Sequence, residues 1–499
     1  MSIILTERVG RHGERTAIID PEGTFSYRQL LETSGKVASF LLNGSLDLEE
    51  RPVAFLAPPG FDYVALLWGI WRAGGIAVPL SLFHPRPELE YVLEDTSPAA
   101  VIAHPDFVDR LMPIAMERGL RFDKSTDATE HPLAELPSVA PSRRAMILYT
   151  SGTTGKPKGV VTTHDNITAQ ITSLVEAWEW TANDRILEFL PLHHIHGIVN
   201  IISCALWSGA VCEIVPEFNA QKVWGRIVQG GLTLFMAVPT IYVKLIDTWQ
   251  KSSPADQKRM TEACSKMRVM ISGSAALPVS TLEKWHEISG HILLERYGMT
   301  EIGMGLSNPL HGKRFPGCVG MPIPGVEVRL VDEMGNSVAP GIPGEIEVRG
   351  KVVFSEYWHR PDDTRKAFRN GWFITGDVAV YENEIFRILG RSSVDIIKTG
   401  GEKVSALEIE GMLLTHPDIH ECAVVGVPDP VWGEKVCAAI VLDDGKSLDI
   451  ETLRAWSKER LAPYKVPRGV EVIENLPRNA MGKIVKPAVK KIFTCNPFT

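Results

Sequence analysis

No two cysteines in this chain form a C-x-x-C pair. The seven, at 204, 212, 264, 318, 422, 437 and 495, are scattered and odd in number, which excludes a disulfide framework or a zinc ribbon and fits reduced thiols in a cytosol-like compartment. Long apolar runs are missing as well. The longest uncharged stretch, Gly197 to Cys212, carries Asn200, Ser203, Ser208 and Gly209 and falls short of the ~20 apolar residues that span a bilayer. It predicts a buried helix leading into a strand. The apolar run Ile3-Ile4-Leu5 is too short for a secretory signal, and Glu7 and Glu14 do not suit an acid-poor transit peptide, so a cytoplasmic location is expected. Positive charge is not in excess either: a net charge of -8 and a pI near 6.0 argue against nucleic acid or an anionic membrane as partner. An anionic substrate would have to meet a locally basic site. Internal repeats, low-complexity tracts and heptads are also lacking, which rules out solenoids and coiled coils.

What is present is an ordinary globular composition, 44% hydrophobic and 22% charged, over 499 residues. That length exceeds the ~250–300 residues at which a single core stops growing, so more than one domain is expected. Val53-Ala54-Phe55-Leu56 and Ile76-Ala77-Val78-Pro79-Leu80 have the β-branched, apolar character of strands, and Phe61 to Arg72 between them has helical spacing. This alternation predicts doubly wound α/β sheets. Asp123 to Arg144 is polar and proline-rich, as in a loop-rich connection, and about 320–390 alternates short strands with Pro/Gly turns, predicting a β-rich subdomain. After Gly390-Arg391 the pattern becomes α+β; Ser405-Ala406-Leu407-Glu408 has the form of a capping box and should open a helix. The expected organisation is an α/β body over 1–390 and a small α+β lid over 391–499.

The most telling segment is Tyr149-Thr150-Ser151-Gly152-Thr153-Thr154-Gly155-Lys156-Pro157-Lys158-Gly159. Glycines bring backbone N–H groups close to an anion, hydroxyls donate to phosphate oxygens and lysines offset their charge. Two residues separate Gly152 from Gly155, and Pro157 follows the first lysine, so this is no Walker A loop. Val160-Val161-Thr162-Thr163 beyond it is strand-like, which places the loop between two strands.

Six further segments accompany it: Pro191-Leu192-His193-His194-Ile195-His196-Gly197, Ser272-Gly273-Ser274-Ala275-Ala276-Leu277-Pro278, Tyr297-Gly298-Met299-Thr300-Glu301, Ile374-Thr375-Gly376-Asp377, Gly390-Arg391 through Gly400-Gly401, and Met481-Gly482-Lys483 near the end. Together with the loop they resemble the adenylate-forming acyl-CoA synthetase family, from about the first helix to the last thirty residues. The resemblance implies that Thr150, Ser151, Gly152, Thr153, Thr154, Gly155, Lys156 and Lys158 hold ATP phosphates. It implies that Ser274, Ala275 and Ala276 form a wall for adenine, Tyr297 packs near adenine, Thr300 touches the α-phosphate and Glu301 holds Mg²⁺, whose preference for hard oxygen ligands suits a carboxylate. Asp377 would accept from both ribose hydroxyls, although at a turn after Trp372-Phe373 it would also suit an Asx cap. Arg391 would bind ribose, Lys398 a phosphate, and Gly400-Gly401 would line the tunnel for the pantetheine arm of CoA. Ser393 stands at the hinge position, where Asp or Lys is more usual. Lys483 would join carboxylate to phosphate in adenylation, where a lysine without these neighbours is more often a solvated surface group.

His193, His194 and His196 could suggest a metal, but the segment holds no cysteine or carboxylate, and a pocket wall suits it better. By resemblance His194 gates between the acyl pocket and the pantetheine tunnel. Arg296 precedes the adenine-site tyrosine, where a guanidinium left without an anion is costly. A short dicarboxylate would supply a bidentate partner; the alternative is a structural pair with Glu295. Lys244 offers a second cation, with His193 and His196 making the pocket polar. The segments LPLHHIHG, LERYGMTE and LPRNAMGK resemble the malonyl-CoA synthetases within the family, implying that malonate, ATP and CoA react to give malonyl-CoA, AMP and diphosphate. Alternatives are a ligase for another short or medium acid, a stand-alone adenylation enzyme, or a nucleotide-binding pseudoenzyme.

Overall fold

The computed structural model describes residues 3–150, 157–400, 402–478 and 484–494. Among these, the strands form four sheets. The largest, nine strands, has a parallel centre in the order Leu294–Met299, Val269–Ser272, Leu234–Ala237, Arg185–Glu188, Val211–Ile214 and Thr16–Asp20, with antiparallel strands added at both edges. The second, seven strands, runs from Glu356–Tyr357 through Lys158–Thr163, Arg144–Thr150, Ile76–Pro79, Pro52–Leu56 and Ala100–Ala103 to Phe122–Lys124. Its central strands are buried residue by residue, as expected where helices cover both faces. The helix Phe61–Arg72 lies where the spacing placed it, with Trp68 and Trp71 buried in a core shared by residues of both sheets. Gly69 makes the close helix crossing there: a Cβ would sit 2.3 Å from Val37 Cγ1.

The hydroxyl-rich loop does connect two strands, since Arg144–Thr150 and Lys158–Thr163 pair antiparallel on either side of it. Gly197 to Cys212 divides into a π-helix His196–Ser203, a helical turn Cys204–Ser208 and the start of the strand Val211–Ile214. π-Helices are rare and gather at functional sites.

The stretch Asp123 to Arg144 has no helix or strand over 130–143, while Phe122–Lys124 adds to the sheet edge and Ser125–Thr129 is helical, with Ser125 and Ala128 buried. Two local expectations need correction. The interval 320–390 is not one unit. Its five-stranded antiparallel sheet spans Val326–Val331 to Ile385–Arg391, while Met321–Pro322 joins the nine-stranded sheet and Glu356–Tyr357 the seven-stranded one. The capping box at Ser405 is half made. Ser405 Oγ accepts from Glu408 N at 3.2 Å and the helix Ala406–Leu413 follows, but the Glu408 carboxylate turns to Lys465 Nζ at 2.6 Å.

Residues from Ile396 onward build the fourth sheet, with cores of their own around Ile397, Val424, Ala438 and Leu453, and around Val425, Ala439 and Val489. Among the described residues no helix is long and apolar enough to cross a membrane.

Candidate active site

Parallel strands deliver their carboxyl ends to one side of a sheet, and open α/β folds bind ligands there. The segments that follow Arg185–Glu188, Val269–Ser272 and Leu294–Met299 are those holding the histidines, Ser274 and Thr300-Glu301. The third sheet brings Asp377 to the same place.

Asp377 lies inside the strand Trp372–Glu382, not at a turn. Between Glu345↔Val378 and Glu347↔Ile374 the register slips, and Gly376 has φ +75°. A bulge re-aims side chains, and here Tyr297 O–H donates to Asp377 Oδ2 at 2.6 Å while Arg391 Nε lies 3.2 Å from Oδ1. Thr375 Oγ1 accepts from Asp377 N and donates to Ile346 O, holding the bulge. Burial raises the Asp377 pKa, opposed by Arg391 and by the Tyr297 bond. Tyr297, Asp377 and Arg391 are thus one constellation with carboxylate, phenol and guanidinium in contact.

Thr300 and Glu301 occupy the turn between Leu294–Met299 and Gly303–Ser307. Glu301 is buried, its pKa raised by desolvation, and Tyr357 O–H donates to its Oε1 at 3.0 Å. Lys158 Nζ is not free to face phosphates here. It pairs with Asp363 at 2.9 Å and lies 5.1 Å from the Tyr357 ring centroid. Thr150 Oγ1 bonds Lys158 O across the base of the loop. Ser151, Gly152, Thr153, Thr154, Gly155 and Lys156 lie outside the described residues, as do Gly401 and Lys483.

Sequence reasoning missed the contacts of Tyr149 and Pro157, which flank the loop. Asp95 accepts from Tyr149 O–H and Arg360 Nη2, each at 2.7 Å, and its carbonyl accepts from Trp358 Nε1. Tyr91 O–H donates to Pro157 O at 2.7 Å. Neither Asp95 nor Tyr357 sits in a motif; the pairing of Glu356–Tyr357 with Val160-Val161 and the bond from Phe354 N to Glu301 O at 2.8 Å bring Tyr357 near Glu301.

The second half of the site is a buried cation. Arg296 is 3% exposed. Its Nη2 lies 2.8 Å from the His196 ring nitrogens, its Nη1 donates to Ser274 Oγ at 3.3 Å, and its Nε is unpartnered. No carboxylate forms an ion pair with it among the described residues. The pair with Glu295 does not form, because neighbours on a strand face opposite ways; Glu295 accepts from Gly317 N instead, and burial raises its pKa to about 8. Burial lowers Arg296 to about 10, and burial together with Arg296 pushes His196 well below its ordinary value. The imidazole therefore stays neutral and can accept from the guanidinium.

Gly273 gives this arrangement its room. A Cβ there would lie 2.6 Å from Arg296 Cζ, Nε and Nη1. Gly273→Ala should displace the guanidinium and weaken the binding of an anion paired with it on the order of tenfold to a hundredfold, as ångström-scale misplacement does. Titration of parent and variant with short dicarboxylates checks this; an unaltered affinity removes the steric argument.

The His193 and His194 rings lie 4.0 Å apart between centroids, tilted by 45°, with His84 edge-on to His193 at 5.6 Å. Burial drives His193 down to about 2. Among the described residues no group of three or more His, Cys, Asp or Glu is placed to hold a metal ion. Lys244 is a correction: it is exposed on the helix Pro239–Gln250, opposite the buried Tyr242 and Leu245, with Nζ 5.9 Å from the Phe218 ring centroid. It supplies no second cation to the pocket. Ser274, Ala275 and Ala276 form an open rim, Ser274 at φ +69°. Lys398 and Gly400 are exposed at the hairpin Ile396–Thr399 with Glu402–Ser405. Ser393 lies in the turn where Val394 N and Asp395 N both donate to Arg391 O.

The profile of the AMP-binding enzyme family matches residues 5–358, and that of the AMP-binding enzyme C-terminal domain matches residues 408–483. The mitochondrial malonate–CoA ligase of Mus musculus is 46% identical, over 96% of this chain and 88% of its own. The malonate–CoA ligase of Arabidopsis thaliana is 38% identical, over 96% of this chain and 86% of its own. Among solved structures, ATP-bound MatB from Rhodopseudomonas palustris superposes with a TM-score of 0.91 at 34% identity, covering 99% of each chain.

Proposed function

The chain belongs to the AMP-binding enzyme family, and we propose from this that it ligates malonate to coenzyme A through an acyl-adenylate. One malonate carboxylate attacks the α-phosphate of ATP and diphosphate leaves. The CoA thiol then displaces AMP, giving malonyl-CoA. The observation that carries the substrate is Arg296, a buried guanidinium whose neighbours are a neutral imidazole and a hydroxyl. A desolvated cation of this kind calls for an anion, and the second carboxylate of malonate supplies one in fork geometry. A fatty or aromatic acid would leave it uncompensated.

Asp377 accepts the ribose hydroxyls, with Tyr297 and Arg391 fixing its two oxygens. Thr300 and Thr150 face the phosphates with the loop that follows Thr150, and Lys483 joins them from the lid. His194 stands between the acyl pocket and the thiol's path. Glu301 fits Mg²⁺, because a buried carboxylate of raised pKa gains from a hard cation what desolvation takes away. Bound there, Mg²⁺ would supply charge neutralisation to the ATP phosphates. The protein's part in adenylation is positioning and electrostatics, and no general base is needed.

In this reading residues 1–390 are the adenylating body and 391–499 a lid that pivots near Ser393, bringing Lys483 to the site in the first step and the Gly400 turn in the second. The reaction suits a reducing compartment, and the cytoplasm is our assignment; the six described cysteines are all free. The test is a panel of acids scored for CoA- and ATP-dependent AMP release. Malonate should lead, with methylmalonate weaker. A preference for acetate or a medium-chain acid would remove malonate and leave a ligase of other specificity, whereas no diphosphate exchange with any acid would point to a pseudoenzyme.

A further inference from the structure

One aromatic ring clamps the hairpin tip at Gly400 from outside the nucleotide and carboxylate sites. Gly400 has φ +57°, and its N–H donates to Trp432 O at 2.9 Å. A Cβ at Gly400 would lie 2.9 Å from Trp432 Cε3 and 3.0 Å from Cζ3, so the ring rests on bare backbone. The ring is covered by Arg468, whose guanidinium carbon is 3.8 Å from its centroid. Two further contacts tie the same elements together: Thr399 pairs with Gly433, and Lys398 N donates to Glu434 Oε2 at 3.0 Å. Trp432 is itself oriented by Asp429, whose Oδ1 accepts from Val431 N at 2.9 Å and Trp432 N at 3.0 Å.

Glycine next to glycine at a hairpin tip has wide conformational freedom. Nothing in the hairpin's own sequence selects one shape for the turn. The long strands Ile419–Asp429 and Gly433–Leu442 supply what is missing, because the loop joining them inserts Trp432 between the turn and Arg468. A cation stacked on the ring adds electrostatic attraction to the contact, more so where water is excluded.

We propose that Trp432 is a positioning residue for the thioester-forming step, holding the Gly400 turn in the left-handed conformation past which the pantetheine arm of CoA must slide. This rests on the ligase reading, which places that turn along the thiol's path. In the step concerned, the thiol sulfur bonds to the acyl carbon of malonyl-AMP, the acyl carbon–phosphate oxygen bond breaks, AMP leaves with the electron pair, and the thiol proton passes to solvent. Trp432 touches none of these atoms and acts through Gly400.

The two half-reactions separate this role from a structural one. Trp432→Ala should keep malonate-dependent ATP–diphosphate exchange within about twofold of the parent. CoA transfer from supplied malonyl-AMP should fall on the order of tenfold or more, with a raised KM for CoA, in proportion to the stacking and hydrogen-bond contacts loosened. Trp432→Phe, which keeps a ring on Gly400, should restore most of the transfer. Gly400→Ala should also slow transfer, and the double variant should be no slower than the slower single one, because contacting residues are not additive. Equal losses in both half-reactions, with a lower melting temperature, would make Trp432 merely structural. Unchanged transfer in Trp432→Ala would overturn the proposal outright. If the parent uses another acid, the malonate reading fails, while the comparison stands with that acid's adenylate.

Discussion

Arg296→Ala is expected to raise the malonate requirement on the order of a hundredfold or more, while ATP binding survives. Removing one partner of a buried charge pair costs roughly 2–5 kcal/mol, and a hundredfold is about 2.8 kcal/mol. The expectation follows from the environment of the guanidinium. At 3% exposure it has a neutral imidazole, a hydroxyl and an unpartnered Nε, but no protein carboxylate among the described residues. In the free protein that charge is a cost; with malonate bound it is a partner. Arg296→Met should therefore leave the ligand-free melting temperature unchanged or higher, and abolish the upward shift that malonate with ATP gives the parent. Arg296→Lys should recover little, since a point charge does not present a fork to a carboxylate. A variant that loses stability and keeps its malonate KM would show that Arg296 supports the fold and not the substrate.

Lys483→Ala should lower adenylate formation by several orders of magnitude and retain most CoA transfer from a supplied malonyl-AMP. The charge is needed only where two anions meet, and an interaction made only in that transition state lowers only that rate. Equal losses in both half-reactions would remove the role. Trp432→Ala should give the reverse pattern. Comparing the two variants in one pair of assays tests whether residues 391–499 serve both steps.

The family was legible in the chain before any coordinates, because its motifs sit in short contiguous segments. The order of strands and helices in the first eighty residues was legible too, since apolar periodicity is local: Phe61–Arg72 is a helix where the spacing put it. Asp377 was found by its neighbours Thr375 and Gly376, but its setting was misjudged. A bulge looks like a turn in sequence, and only the pairing of Trp372–Glu382 with Gly344–Gly350 distinguishes them.

Other features depend on residues distant in the chain. Tyr357 reaches Glu301 across 56 positions, and Asp95 braces Arg360 across 265; no local signal marks such partners. Lys244 failed for a related reason. Its residue type suited the pocket, but which face of Pro239–Gln250 turns inward is set by the burial of Tyr242 and Leu245. The sequence by itself determined that a nucleotide-binding ligase of this family is encoded and that an arginine precedes its tyrosine at 297. That this arginine has no carboxylate partner among the described residues follows from the packing of distant segments. Strand alternation sends Glu295 to the opposite face, and the chain reversal that follows Ser272 puts Gly273, Ser274 and, from another strand's end, His196 around the guanidinium.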